Sequence, residues 1–147
     1  MTPQLIIPAL IARLQTDSVL SAYVPAANVL EGTREIGTMT AFPTIMIETD
    51  GDMLLDQTYP WERLILPVKL GGFIQAYDKN AQLSGLNGLL QFKNDIKRCL
   101  SQDDNLGLSD VYSVIWQSSK DNNTFYPIRG FIASVNIKYR QNRTTRA

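Results

Sequence analysis

The stretch Tyr126–Arg140, YPIRGFIASVNIKYR, alternates between two characters along most of its length. Phe131, Ala133, Val135, Ile137 and Tyr139 are apolar, and Ser134, Asn136 and Lys138 between them are polar. Successive side chains of a strand point to opposite faces, so this pattern predicts a long strand with one buried and one wet face. A sheet wet on one side favours antiparallel pairing, because parallel sheets are covered on both. Arg63–Leu70 repeats the period, with Leu64, Leu66, Val68 and Leu70 on one face and Arg63 and Lys69 on the other. Thr44–Thr49 places Ile45 and Ile47 together, and Val111–Gln117 groups Tyr112, Val114 and Trp116 before a turn at Lys120–Asn123. Asn28–Glu31 reads as a short strand. Gly71-Gly72 predicts a bulge or sharp bend before Phe73–Tyr77.

Two segments change to a helical period. Ile7, Leu10, Ile11 and Leu14 recur at the spacing of an amphipathic helix over Pro3–Leu14, which either kinks near Pro8 or begins there. Asp17 suits the cap of a short turn reaching Tyr23, which Pro25 closes. Asp78 suits the cap of a helix running to Leu100. Its buried stripe is expected at Leu86, Leu89, Phe92, Ile96 and Cys99/Leu100, with Lys93, Asp95 and Lys97 facing water. Ser101–Leu108 connects it to the next strand. These elements predict a single α+β domain over residues 1–140, a largely antiparallel twisted sheet with helices packed on one face, followed by a basic flexible arm over 141–147.

The 147 residues are 44% apolar and 19% charged, which supplies a core and excludes wholesale disorder. Histidine is absent and cysteine occurs once, at Cys99, so the usual neutral-pH base, histidine-containing zinc sites and an intrachain disulfide are all missing. There is no Ser-x-x-Lys, no Gly-x-Gly-x-x-Gly and no Walker loop. The acidic cluster Glu48, Asp50, Asp52 and Asp56 lacks the ligand spacing of an EF-hand and reads as a solvated turn at Gly51. Gly85-Leu86-Asn87-Gly88 has the form of a backbone clamp without its positive charge, and reads as helix packing. The expectation is a chain with no catalytic residue, no cofactor and no metal. No basic residue precedes the apolar run Leu5–Ala12, which is far shorter than a membrane span. A soluble, unexported chain that does not contact membranes is therefore expected.

Two features stand out from this plain background. Thr49–Glu62 (TDGDMLLDQTYPWE) is too long for a tight hairpin and reads as a loop carrying Met53, Leu54, Leu55, Tyr59 and Trp61, a composition suited to a subunit interface. The second is the C-terminus, where Lys138, Arg140, Arg143 and Arg146 occur among ten residues with no acid, leaving the first 137 with a net charge of −4. Such an arm is suited to docking on an acidic partner or on phosphate. Overall charge is zero, which argues against a surface that grips nucleic acid throughout.

The order of elements resembles the tail terminator proteins of long-tailed bacteriophages, within a wider set of neck and tail-completion proteins. The matching pieces are the helix Pro3–Leu14, Pro43-Thr44-Ile45-Met46-Ile47, a long hairpin leading to Gly71-Gly72-Phe73-Ile74-Gln75-Ala76-Tyr77-Asp78, the helix end Asp95–Leu100, the connector Asp103–Gly107 and the closing Val135–Tyr139. The resemblance implies a non-enzymatic virion protein of the tail or neck, assembled in the host cytoplasm. It implies a ring, a hexamer in such proteins, that caps the tail tube protein and presents a surface to the head–tail connector or stopper protein. Transient contact with DNA passing through the ring is a further implied partner. A head-completion or stopper protein is the alternative, and a small nucleic-acid-binding module a more distant one.

Overall fold

The computed structural model describes residues 3–32, 35, 39–49, 51–75, 88–102, 105–122 and 127–142. Within them the strands are β1 (Val29–Glu31), β2 (Thr44–Thr49), β3 (Met53–Thr58), β4 (Trp61–Gln75), β5 (Val111–Asn122) and β6 (Ile128–Asn142). They form one sheet in the order β1-β2-β4-β6-β5, with β3 also paired to β4. β4 and β6 are its spine, antiparallel from Trp61 opposite Asn142 to Gln75 opposite Ile128. Only β1 and β2 pair in parallel among the described strands. Phe131, Ala133, Val135, Ile137 and Tyr139 are all fully buried, as the alternation of β6 requires. Two helices, α1 (Ile6–Thr16) and α2 (Leu89–Ser101), share one apolar core with this face of the sheet. The fold is α+β.

The segment expected to be the loop Thr49–Glu62 is instead a strand for half its length. β2 and β3 run in the same direction along one side of β4: Thr49 sits opposite Val68, and Met53 opposite Ile65. They are two parts of one long hairpin arm, interrupted at Gly51 and Asp52, where Gly51 takes a φ of +113°. Pro67 lies opposite this interruption, and its carbonyl accepts a bond from the Thr49 hydroxyl at 2.7 Å. A strand residue points its N–H and C=O to the same side, so the donor that proline lacks faces the gap, where no strand residue pairs with it.

The bulge expected at Gly71-Gly72 does not occur; β4 stays in register with both neighbours. These glycines serve packing. On the inner face a Cβ on Gly72 would lie 2.6 Å from Phe131 Cε1 and 3.0 Å from Phe92 Cε2. On the outer face a Cβ on Gly130 would strike the Phe73 ring and lie 2.7 Å from the Gly72 carbonyl oxygen. Gly72 pairs with Phe131, and Phe73 with Gly130. Each ring thus covers the glycine across from it, one on each face, and shields strand backbone that has no side chain of its own. Phe131 also meets Phe92 edge-on at 6.1 Å and Trp116 at 6.0 Å, which ties β6 to α2 and β5.

α1 begins at Ile6, so Pro8 falls in its first turn, where backbone N–H groups have no partner within the helix. Ile7, Leu10 and Leu14 are buried as expected, with Ile6, while Ile11 is only partly buried. Asp17 caps the following turn: its Oδ2 accepts from Val19 N at 3.1 Å and Leu20 N at 3.0 Å. In α2, Leu89, Phe92, Ile96, Cys99 and Leu100 are buried; Asp78 and Leu86 lie outside the described residues. Asp95 was expected in water and is buried, because it accepts a 2.6 Å bond from the Tyr23 hydroxyl. Lys93 is also drawn inward, 2.6 Å from Asp121 and over the Phe131 ring.

Three further expectations change. Tyr112 is exposed, because the ladder slips by one residue between Val111 and Ser113 and sends Tyr112 off the core face. β5 continues to Asn122 through the expected turn. The C-terminal arm does not begin at 141, since Gln141 and Asn142 extend β6 and Gln141 is buried.

Candidate functional site

The interface residues read from the sequence cluster on the hairpin of β3 and the start of β4. Pairing places Met53 opposite Ile65 and Leu54 opposite Leu64, with the register shifting at Leu55 before Asp56 meets Arg63. Met53, Leu54 and Leu55 are exposed, at 56%, 57% and 44%, and Tyr59 at the turn is 73% exposed. A six-residue strand with three exposed apolar side chains costs free energy in water unless something covers it. Among the described residues β3 has β4 on one side and no strand on the other.

The core ends where this hairpin begins. On the inner face the apolar row of Leu64 and Tyr139 is followed by Glu62 opposite Gln141, both buried. The Tyr139 hydroxyl donates to Asp52, so the link between β2 and β3 is fastened to β6. On the outer face Trp61 is half-buried beneath the Arg140 guanidinium, 4.6 Å from its ring centre. Arg140 also donates to Asp110 Oδ1 at 3.1 Å, and Arg63 makes a two-pronged pair with Asp56.

These contacts alter the reading of the basic residues. Arg140 is engaged within the fold, on Trp61 and Asp110, and is not part of a free arm. Lys138 stands half-buried on the outer face of β6, and Arg143 and Arg146 lie outside the described residues. A groove of about 430 Å³ opens between Arg63, Ser109, Asp110, Tyr112 and Arg140. Both arginines there face a carboxylate, so the groove is not a free anion site. The acidic cluster is dispersed likewise: Asp52 holds Tyr139, Asp56 holds Arg63, and Asp50 lies outside the described residues. No group of three or more His, Cys, Asp or Glu among the described residues is placed to hold a metal ion.

Away from the hairpin the titratable groups serve the fold. Burial pushes the Cys99 thiol up to about 11, which keeps it protonated and a poor nucleophile at neutral pH. Burial alone would raise the Asp17 carboxyl as well. The N–H of Leu20, the Arg98 guanidinium at 2.9 Å and the N–H of Val19 outweigh it and hold this carboxyl below its usual range. No described helix is long and apolar enough to cross a membrane.

Asp110 and the exposed Ile115 on β5 were not singled out in the sequence, and Tyr112 was grouped there with the buried Val114. Only the slips in the β5 ladder reveal which of its side chains turn outward.

No protein-family model matches this chain, and no curated protein matches it in sequence. Among solved structures it is similar to a chain of the virion of a native gene transfer agent (GTA) particle, with a TM-score of 0.59 over 91% of this chain and 93% of that one. Identity between the two is 10%, so what they share is the fold.

Proposed function

We propose that this chain is a structural virion protein, a ring-forming tail terminator that caps a tail tube and joins it to the head connector. The observation that carries the reading is the shared fold, which takes in nine-tenths of both this chain and a chain of the GTA virion. Element order in the sequence agrees with it, and so does an exposed apolar hairpin suited to contact between subunits. The protein acts by assembly and not by catalysis: copies close into a ring of six, one side seated on the tail tube protein and the other offered to the connector or stopper. Lys138 and the residues beyond β6 contribute positive charge that speeds docking, and DNA passes through the ring without being read in sequence.

Negative-stain microscopy of the purified protein, alone and with tail tubes, tests this. Rings, and caps at tube ends that stop further tube growth, are the expected result. Particles that remain monomeric at every concentration and ignore tube ends overturn it. Rings that bind an isolated head connector and never a tube would assign the chain to the head-completion or stopper class.

A further inference from the structure

The two sides of the sheet that flank β4 carry opposite charge, shared between the outermost strands β1, β3 and β5 and the interior strands β2 and β6. On β1, β2, β3 and the described part of the link between β2 and β3, every charged side chain is acidic: Glu31, Glu48, Asp52 and Asp56. On β5 and β6, at the other side, four of five are basic: Lys120, Arg129, Lys138 and Arg140, against Asp121. The pairs described above remove some of this charge locally. Asp56 is matched by Arg63, Arg140 by Asp110 and Asp121 by Lys93. Glu31 and Glu48 on one side, and Lys120 and Lys138 on the other, make no ion pair with a described residue.

Among the described residues β3 is paired only to β4, and β5 only to β6. Both bring apolar side chains to the surface: Met53, Leu54 and Leu55 on β3, Tyr112 and Ile115 on β5. Their directions are compatible. β3 and β6 are each antiparallel to β4, and β5 is antiparallel to β6, so β3 and β5 run in opposite directions. One cross-sheet row runs Leu54, Leu64, Tyr139, Val111, which sets the start of β3 level with the start of β5. A rotation about an axis along the strands therefore brings β3 of one copy beside β5 of the next as an antiparallel neighbour. A stagger of about four residues, of the kind that closing a sheet around a cylinder demands, lays the whole of β3 against the first half of β5.

We propose that copies of this chain join head to tail through opposite sheet edges, β3 of one copy beside β5 of the next, so that the acidic side formed by β1, β2 and β3 meets the basic side formed by β6 and β5. The partner is a second copy of the same chain, and the proposal rests on the ring reading above. Two different patches meeting in this way make a heterologous contact, which closes into a ring when the rotation is right. Unlike charges on the two edges also disfavour β3–β3 or β5–β5 contacts, because like charges then face each other.

Charge reversal tests it. Counting the charges outside the named ion pairs, Glu31→Lys with Glu48→Lys turns the first side from −3 (Glu31, Glu48, Asp52) to +1, and Lys120→Glu with Lys138→Glu turns the second from +3 (Lys120, Arg129, Lys138) to −1. Native mass spectrometry of each variant, with circular dichroism to show that it is folded, reads the outcome. Each variant alone is expected to lose assembly at least tenfold in the concentration required. An equimolar mixture of the two, and a single chain bearing all four changes, should regain it. If the wild type forms rings and both variants do so equally well, the edge contact is wrong while the ring stands. If folded variants fail and neither the mixture nor the fourfold change restores assembly, the complementarity of the two edges is refuted. A wild type that never assembles removes the ring reading and this contact with it.

Discussion

From Val68 to Phe73, β4 runs between β2 and β6 with the helical layer over its inner face; from Trp61 to Ile65 the same strand runs between β3 and the end of β6. The first of these stretches is dry on its inner face, and at Phe73 on its outer face as well. Phe131 fills the space above Gly72, Phe73 the space above Gly130, and Phe92 and Trp116 close around Phe131. In the second half the inner row turns to Glu62 and Gln141, the neighbouring strand exposes Met53, Leu54 and Leu55, and the outer face is held by Arg140 on Trp61 and Arg63 on Asp56. One ladder is therefore buried at one end and flanked by exposed apolar surface at the other. On the proposed ring reading, stability and assembly are separable, because they draw on different stretches of the same two strands.

The largest effect is expected at the dry end. Phe131→Ala removes a fully buried ring and uncovers Gly72, and should cost about 3–5 kcal/mol in chemical unfolding. Gly130→Ala probes the same packing by adding volume. Its Cβ has no room against Phe73 and the Gly72 carbonyl, and a loss of about 1–3 kcal/mol is expected in the same measurement. If Leu55→Ser lowered stability as much as Phe131→Ala, the contrast between the two halves would fail.

Asp17→Asn should have a smaller and pH-dependent effect. The folded carboxyl titrates below its ordinary value, so its contribution is present above about pH 4 and lost as pH falls through the folded value. The variant keeps an acceptor for the cap but loses the charge that Arg98 holds, at a cost of about 1–2 kcal/mol at pH 7. Thermal melts should show the gap from wild type narrowing below about pH 4; a gap that stays constant to pH 3 would remove the charge from the explanation.

At the hairpin the order is reversed. Trp61→Ala combined with Leu55→Ser touches only exposed or half-buried groups and one stacked arginine, so stability should fall by no more than about 1 kcal/mol. Assembly followed by light scattering should nevertheless be impaired. A variant that assembles like the wild type would reduce the hairpin to local packing.

Strand period alone was enough for β2 and for the buried faces of β4 and β6, since a one-residue slip would turn every apolar side chain to water. Helical spacing was likewise enough for most of the buried residues of α1 and α2, and residue type for the Asp17 cap. These features depend on neighbours within one turn or one strand, and such neighbours are written side by side in the chain. Contacts between distant segments settled the rest. Met53–Thr58 is a strand because β4 offers it an edge, and its own MLLDQT has no alternation to announce it. At Gly72 the rings of Phe92 and Phe131, from α2 and β6, take the space of the missing Cβ, a packing role that the sequence does not show. Asp95 is buried because Tyr23, 72 positions away, supplies a hydroxyl, and Arg140 leaves the arm because Trp61 and Asp110 are folded against it. The opposite charge of the two sides of the sheet is of the same kind. It exists only once β1, β2 and β3 lie on one side of β4, and β6 and β5 on the other.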